Sequence, residues 1–277
     1  MSLSVRPLTI HIGAEVAGVD LRDPSEELAK EVQDLLLQHL VLFFRDQDLT
    51  PAQHVALGRR FGELHLHSVA ATLEGHPEII LLDNDEKRPP NIDAWHTDVT
   101  MDECPPMGSI LRAVEVPAVG GDTLWASMYA AFEALPKGTQ RMLEELTAVH
   151  HYPDYFRTGI LRQEDGYAKL ERYDQEHRPV EHPVVRTHPV TGRKALFVNS
   201  TFTKYIKDVG RKEGRALLDM LHQHVATRPE FHVRFKWERN SIAFWDNRCT
   251  QHYAVADYYP QVRRMQRVTI AGDRPYC

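Results

Sequence analysis

The chain has 277 residues, 42% of them hydrophobic, and its 33 basic against 39 acidic side chains give a net charge of -6. That balance excludes the electrostatic footprint of a nucleic-acid binder, and no apolar run approaches the roughly 20 residues that a membrane helix needs, so the expected partner is a small molecule rather than nucleic acid or membrane. The three cysteines, Cys104, Cys249 and Cys277, are scattered and odd in number, which argues against a disulfide framework and against a Cys-rich zinc site.

The first residues lack the basic and apolar regions of a secretory signal, so a cytoplasmic location is expected. No Ser/Gly- or Pro-rich linker interrupts the chain, and residues 1–277 read as one domain. Asp23 reads as the cap of a first helix, with Pro24 at its first position and Glu26 reaching back; Leu28, Val32, Leu35, Leu36 and Leu40 form its apolar stripe. A strand follows at Val41 to Arg45. The capping box Thr50-Pro51-Ala52-Gln53 opens a second helix, and Glu78 to Asp83 reads as a buried strand. Polar residues 84–94 read as a loop. Strands are expected at 108–117 and 122–126, separated by Gly120-Gly121, with helical segments to about Leu146. The charged stretch 152–178 reads as irregular, a lid or a surface insertion. Strand patterns then return: His182 to Thr187 and Lys194 to Asn199 flank a turn, Phe231, Val233, Phe235 and Trp237 alternate, and Ser241 to Trp245 and Arg264 to Ala271 complete the set. The fold class is mainly β with flanking helices, a sandwich buttressed by helices on one face.

The sharpest chemical signal is Trp95-His96-Thr97-Asp98, because His and Asp two positions apart on extended backbone point to the same side. Far downstream, Trp245-Asp246-Asn247-Arg248 precedes His252, and Arg263 lies a strand and a turn further on. Two His and one carboxylate cover one face of an octahedral metal and leave three positions open, as a non-heme Fe(II) that binds a chelating cosubstrate and O2 requires. A structural zinc site would be closed instead. Of Arg263 and Arg264, only one can face the interior of a strand, and counting back four from Arg267 selects Arg263. Asp246 reads as structural, as do Trp95 and Trp245. The His222/His224 and His150/His151 pairs are poorly spaced for chelation.

The ordered segments FFRDQ at 43–47, RFGELHLH at 60–67, WHTDVT at 95–100, GGDTLWAS at 120–127, HPVVRTHPVTGRKALFVN at 182–199 and FWDNRCTQHYAVADY at 244–258 resemble the taurine dioxygenase (TauD/TfdA) family nearly end to end. The resemblance implies a double-stranded β-helix (jelly roll, cupin-like) and an enzyme using Fe(II), 2-oxoglutarate and O2. His96, Asp98 and His252 would hold iron, and Arg263 with Thr123 the far carboxylate of 2-oxoglutarate. It further implies that His67 and Arg267 grip the anionic head of the substrate, with Phe156 and Phe202 lining its pocket. The chain departs from the taurine pattern where Ala70 stands for a tyrosine, Ile92 for an asparagine and Tyr155 for a serine. Polarity is lost at the amine end, so a substrate ammonium would be buried unpaired. The expected reaction is hydroxylation of the carbon next to the anionic group of a small organic sulfonate. Alternatives are the same chemistry on an alkyl sulfate ester or aryloxyalkanoate, a zinc-dependent hydrolase, and a non-catalytic metal- or anion-binding jelly-roll module. A homo-oligomer, dimer or tetramer, is expected.

Overall fold

Every side chain of Val41-Leu42-Phe43-Phe44 is buried, which a strand achieves only when both of its faces are covered. Val41 and Phe43 join one core with Trp125, Phe235 and Trp245, while Leu42 and Phe44 join another with Val32, Leu36 and Val55. The computed structural model describes residues 3–67, 70–90, 93–162 and 164–277, without the side chains of Asp154, Tyr155 and Glu176.

In chain order the strands are β1 (Ser4–Pro7), β2 (Ala14–Ala17), β3 (Val41–Phe44), β4 (Thr72–Leu73), β5 (His76–Asn84), β6 (Gly108–Glu115), β7 (Thr123–Ser127) and β8 (Thr147–His150). They continue as β9 (Val180–Pro183), β10 (Val185–Thr187), β11 (Lys194–Leu196), β12 (Thr203–Ile206), β13 (His232–Phe235), β14 (Ile242–Asp246), β15 (Thr250–Ala254) and β16 (Arg263–Ile270). The helices are α1 (Glu26–His39), α2 (Pro51–Arg59), α3 (Met128–Glu133), α4 (Lys137–Glu144), α5 (Asp154–Leu161), α6 (Gly166–Glu176) and α7 (Arg211–Ala226).

Eight strands pair in the order β1-β2-β3-β14-β6-β16-β5-β4, and β13-β7-β15 form a three-stranded sheet that shares the aromatic core with them. Two sheets closing on one core make the jelly roll expected from the sequence. Period two runs through the large sheet: Leu111, Ala113, Ala243, Trp245 and Met265 enter the inter-sheet core, whereas Ile110, Ile242, Phe244, Val268 and Ile270 pack outward under α1 and α2. Arg263 and Arg267 share the inward phase with Met265, and all three are buried while Arg264 is exposed.

Three expectations need correction. The cap of α1 is Ser25, whose hydroxyl accepts from Leu28 N–H, so Asp23 and Pro24 lie outside the helix. Helices cover more than one face: α1 and α2 pack on the large sheet, but α3, α4 and α7 pack against β11, β10 and β12. The stretch 152–178 is not irregular, for it carries α5 and α6, which close on a small core of Tyr152, Ile160, Leu170 and Tyr173. The capping box at Thr50 is present as read, with Gln53 and Thr50 bonding reciprocally.

Candidate active site

His96 and His252 oppose each other across an isolated bridge, where each backbone N–H donates to the other's carbonyl at 3.0 and 2.8 Å. That pairing brings the rings to 4.1 Å between centroids. Asp98 follows as the chain enters a turn, and its Oδ1 lies 3.8 Å from Nε2 of His96 and 3.9 Å from Nε2 of His252. The three donor atoms lie within 4.8 Å of one another, a set that could hold one metal ion. The His96 tautomer suits that role, because Nδ1 donates to the Ala94 carbonyl at 2.8 Å and leaves the Nε2 lone pair aimed at the cluster.

All three groups are buried, and their protonation follows from that. Burial alone would raise the Asp98 carboxyl, but the Arg267 guanidinium, by charge and by hydrogen bond, outweighs it and holds the group well below the ordinary carboxylate range. Burial, then the neighbouring His96, pushes His252 down to about 3. Burial likewise lowers His96. The cluster is therefore an ionised carboxylate and two neutral imidazoles, the state that binds a cation.

Two arginines flank the cluster on β16. Arg263, 5% exposed, donates from Nε to the Gly121 carbonyl at 3.2 Å and from Nη2 to the Thr123 hydroxyl at 3.5 Å. Among the described residues no carboxylate pairs with it, so a buried guanidinium awaits an anion. Gly121, at φ 73°, permits this approach, since a Cβ there would meet Arg263 Cδ at 3.3 Å. Thr123 Oγ1 accepts from Trp237 Nε1 at 2.9 Å, which leaves its own O–H to donate. Arg267 donates from Nη1 to Asp98 Oδ1 at 2.8 Å, while its buried Nε has no partner.

His67 is half-buried, and its Nδ1 accepts from the Ala70 N–H at 3.2 Å, which places the ring proton on Nε2. Burial first, then the charge of Arg267, pushes its pKa down to about 4. It is thus a neutral donor at working pH. Phe202 sits edge-on to His96 at 6.4 Å. Phe156 lies instead in the α5–α6 cluster, 5.1 Å from Tyr173, together with Met101. Ala70 is half-buried. Ile92 lies outside the described residues, as does the side chain of Tyr155.

A second buried trio, His188, Asp246 and Cys249, is closed to cations. Both Asp246 oxygens are committed: Arg248 donates to them at 2.9 and 2.7 Å, and His188 lies 3.1 Å from Oδ2. The pairs His222/His224 and His150/His151 hold backbone and hydroxyl partners elsewhere, His224 on the Ala131 carbonyl and His150 on Thr100. Sequence reasoning passed over Asn247, which bonds to the backbone of Asp98, and Thr97, which bonds to the Thr250 carbonyl. Asn247 stood in the quoted WDNR run, but its side chain had no readable partner there.

The profile of the family described as "Taurine catabolism dioxygenase TauD, TfdA family" matches residues 4–269. An alpha-ketoglutarate-dependent sulfate ester dioxygenase from Pseudomonas putida is 39% identical over 99% of this chain and 91% of its own length. A crystal structure of a taurine dioxygenase from Burkholderia xenovorans superposes with a TM-score of 0.84 at 40% identity, covering 99% of this chain and 91% of that one. AAD-2 in complex with Mn(II) and N-oxalylglycine superposes with a TM-score of 0.83 at 32% identity over the whole of both chains.

Proposed function

The chain belongs to the TauD/TfdA family and is a 2-oxoglutarate-dependent non-heme iron dioxygenase, and on that premise we propose that it oxidises the carbon beside the anionic group of a small organic sulfonate with an apolar tail. Its cofactors are Fe(II), 2-oxoglutarate and O2. The single observation that carries the substrate reading is the pair of buried guanidiniums, Arg263 and Arg267, on one face of β16 beside a His-Asp-His cluster.

We read His96, Asp98 and His252 as the iron ligands. Iron with 2-oxoglutarate and O2 supplies oxidising power for an unactivated C–H bond, with succinate and CO2 as co-products. Arg263 would hold the far carboxylate of 2-oxoglutarate by charge-assisted hydrogen bonds, with the Thr123 hydroxyl as a further donor. Arg267 and the neutral Nε2–H of His67 hold the substrate head, which fixes one carbon toward the cluster. Phe202, edge-on to His96, faces the tail, whereas Phe156 packs into the α5–α6 cluster. Ala70, Ile92 and Tyr155 supply no match for the polar partners of a taurine amine, so an ammonium there would go unpaired. Hydroxylation next to a sulfonate gives an adduct that collapses to aldehyde and sulfite.

A sulfate ester is the second reading, supported by the named activity of the Pseudomonas relative. There the hydroxylated carbon would release sulfate and the same aldehyde. We also read 1–277 as one domain, 152–178 with α5 and α6 as a lid or surface insertion, the location as cytoplasmic, and the enzyme as a homo-oligomer, dimer or tetramer. No helix among the described residues is long and apolar enough to cross a membrane.

The test is anaerobic loading with Fe(II) and 2-oxoglutarate, exposure to oxygen, and measurement of succinate with taurine, alkyl sulfonates, alkyl sulfates and aryloxyacetates. Alkyl sulfonates are expected to drive the most turnover, and alkyl sulfates to do so on the second reading. Preference for taurine would overturn the apolar tail, and preference for an aryloxyacetate would overturn the sulfur oxyanion head.

A further inference from the structure

We infer that Asn247 is a positioning residue for the metal: its side-chain amide holds the backbone of Asp98 in the one conformation that aims the carboxylate between His96 and His252. The inference rests on those three residues being the iron ligands.

The amide grips Asp98 from both sides. Its Oδ1 accepts from the Asp98 N–H at 2.9 Å, and its Nδ2 donates to the Asp98 carbonyl at 3.0 Å and to the Pro106 carbonyl at 3.1 Å. Asn247 is 1% exposed, so neither end of the amide has water as a substitute partner. Only a planar group with an acceptor and two donors satisfies all three, which singles out Asn among side chains of that length.

The segment needs such a hold. Val99, directly after Asp98, sits at φ 53°, a conformation that a β-branched residue adopts only when its surroundings impose it. Asn247 lies in the turn between β14 and β15, and β15 carries His252. Thr97 adds a second tie, with its hydroxyl donating to the Thr250 carbonyl at 2.8 Å. The turn is itself anchored, because Asp246 accepts from the Arg248 guanidinium and the Thr250 hydroxyl donates to the Asp246 carbonyl at 2.7 Å. Carboxylate and imidazole ligands drawn from distant parts of the chain are therefore tied together by side chains that never touch the ion. Loss of such supporting contacts typically weakens metal affinity by about 10–100-fold.

The experiment titrates Mn(II), an oxygen-stable stand-in for Fe(II), into the metal-free full-length protein by calorimetry, and records melting temperatures of the same samples. Variants are Asn247→Ala, Thr97→Val and, as a control for the turn alone, Thr250→Val, which removes only the hydroxyl bond to Asp246. Asn247→Ala is expected to bind Mn(II) about 10–100-fold more weakly, and Thr97→Val roughly fivefold more weakly. Thr250→Val is expected to melt lower yet bind within about twofold of wild type, since its bond does not reach Asp98. Mn(II) affinity unchanged in Asn247→Ala, or lowered equally in Thr250→Val, would overturn the inference. If Asn247→Ala does not fold, Asn247→Asp, which keeps an acceptor for the Asp98 N–H but loses both donors, decides by the same measure. A wild-type protein that binds no Mn(II) would overturn the ligand assignment itself, and the inference with it.

Discussion

Arg263 is a fully charged group sealed in the protein with a carbonyl and a hydroxyl for company. The forked geometry of a guanidinium matters as much as its charge. Arg263→Lys is expected to raise the KM for 2-oxoglutarate by about tenfold or more with a smaller effect on kcat, because an ammonium cannot make two parallel bonds to a carboxylate. Steady-state succinate formation at saturating substrate checks this, and an unchanged KM would sink the role. The choice of Arg263 over Arg264 was legible from period two alone. The ion pair of Arg267 with Asp98 was not, since it joins β16 to a loop 169 positions away. Asn247 was hidden for the same reason: an amide in a turn has many local uses, and only the folded chain shows it reaching Asp98.

Among the elements, α2 was readable because its capping box is a local pattern of four residues, and the large-sheet strands because their apolar runs are dense. The cap of α1 was misplaced by two positions since Asp23 and Ser25 are both good caps, and only backbone direction chooses between them. The α5–α6 pair was missed because its apolar residues, Ile160, Leu170 and Tyr173, are too sparse to mark a stripe. α2 also carries a pH dependence. His54 is wholly buried, and Nε2 donates to the Ile110 carbonyl of β6 at 3.0 Å. Burial pushes its pKa down to about 4 from 6.5. The unfolded chain therefore takes up a proton first as pH falls, so stability is full above about 6.5 and drains between there and about 4, by up to about 1.4 kcal/mol per pH unit. Denaturant unfolding at pH 7, 6 and 5 should show a slope to which His67, His182 and His252, also depressed by burial, add their shares, and His54→Gln should reduce it by the share of His54. An equal slope in the variant would exclude His54 as one of its sources.

For the whole molecule, the His-Asp-His cluster joins the segment before β6 to β15, near the far end of the chain. An ion bound there stabilises the folded state alone, because the unfolded chain has no such cluster. Mn(II) at about 100 times its Kd should add about 2.7 kcal/mol, a rise in Tm of roughly 5–10 °C, and EDTA should reverse it. Asp98→Ala should melt at the same temperature with and without the ion. A Tm in the wild type that ignores Mn(II) would speak against the cluster as a metal site. The overall jelly roll was legible because so many ordered segments match one family. The way the helices divide over several faces was not, because patterning shows that a face is apolar without saying what covers it. β16 presents Arg263 and Arg267 in the same phase, so gaining or losing a single residue between them would put the two guanidiniums on opposite faces of the sheet. A change of length keeps both groups inward only outside that pair, as in the loop that leads into the strand.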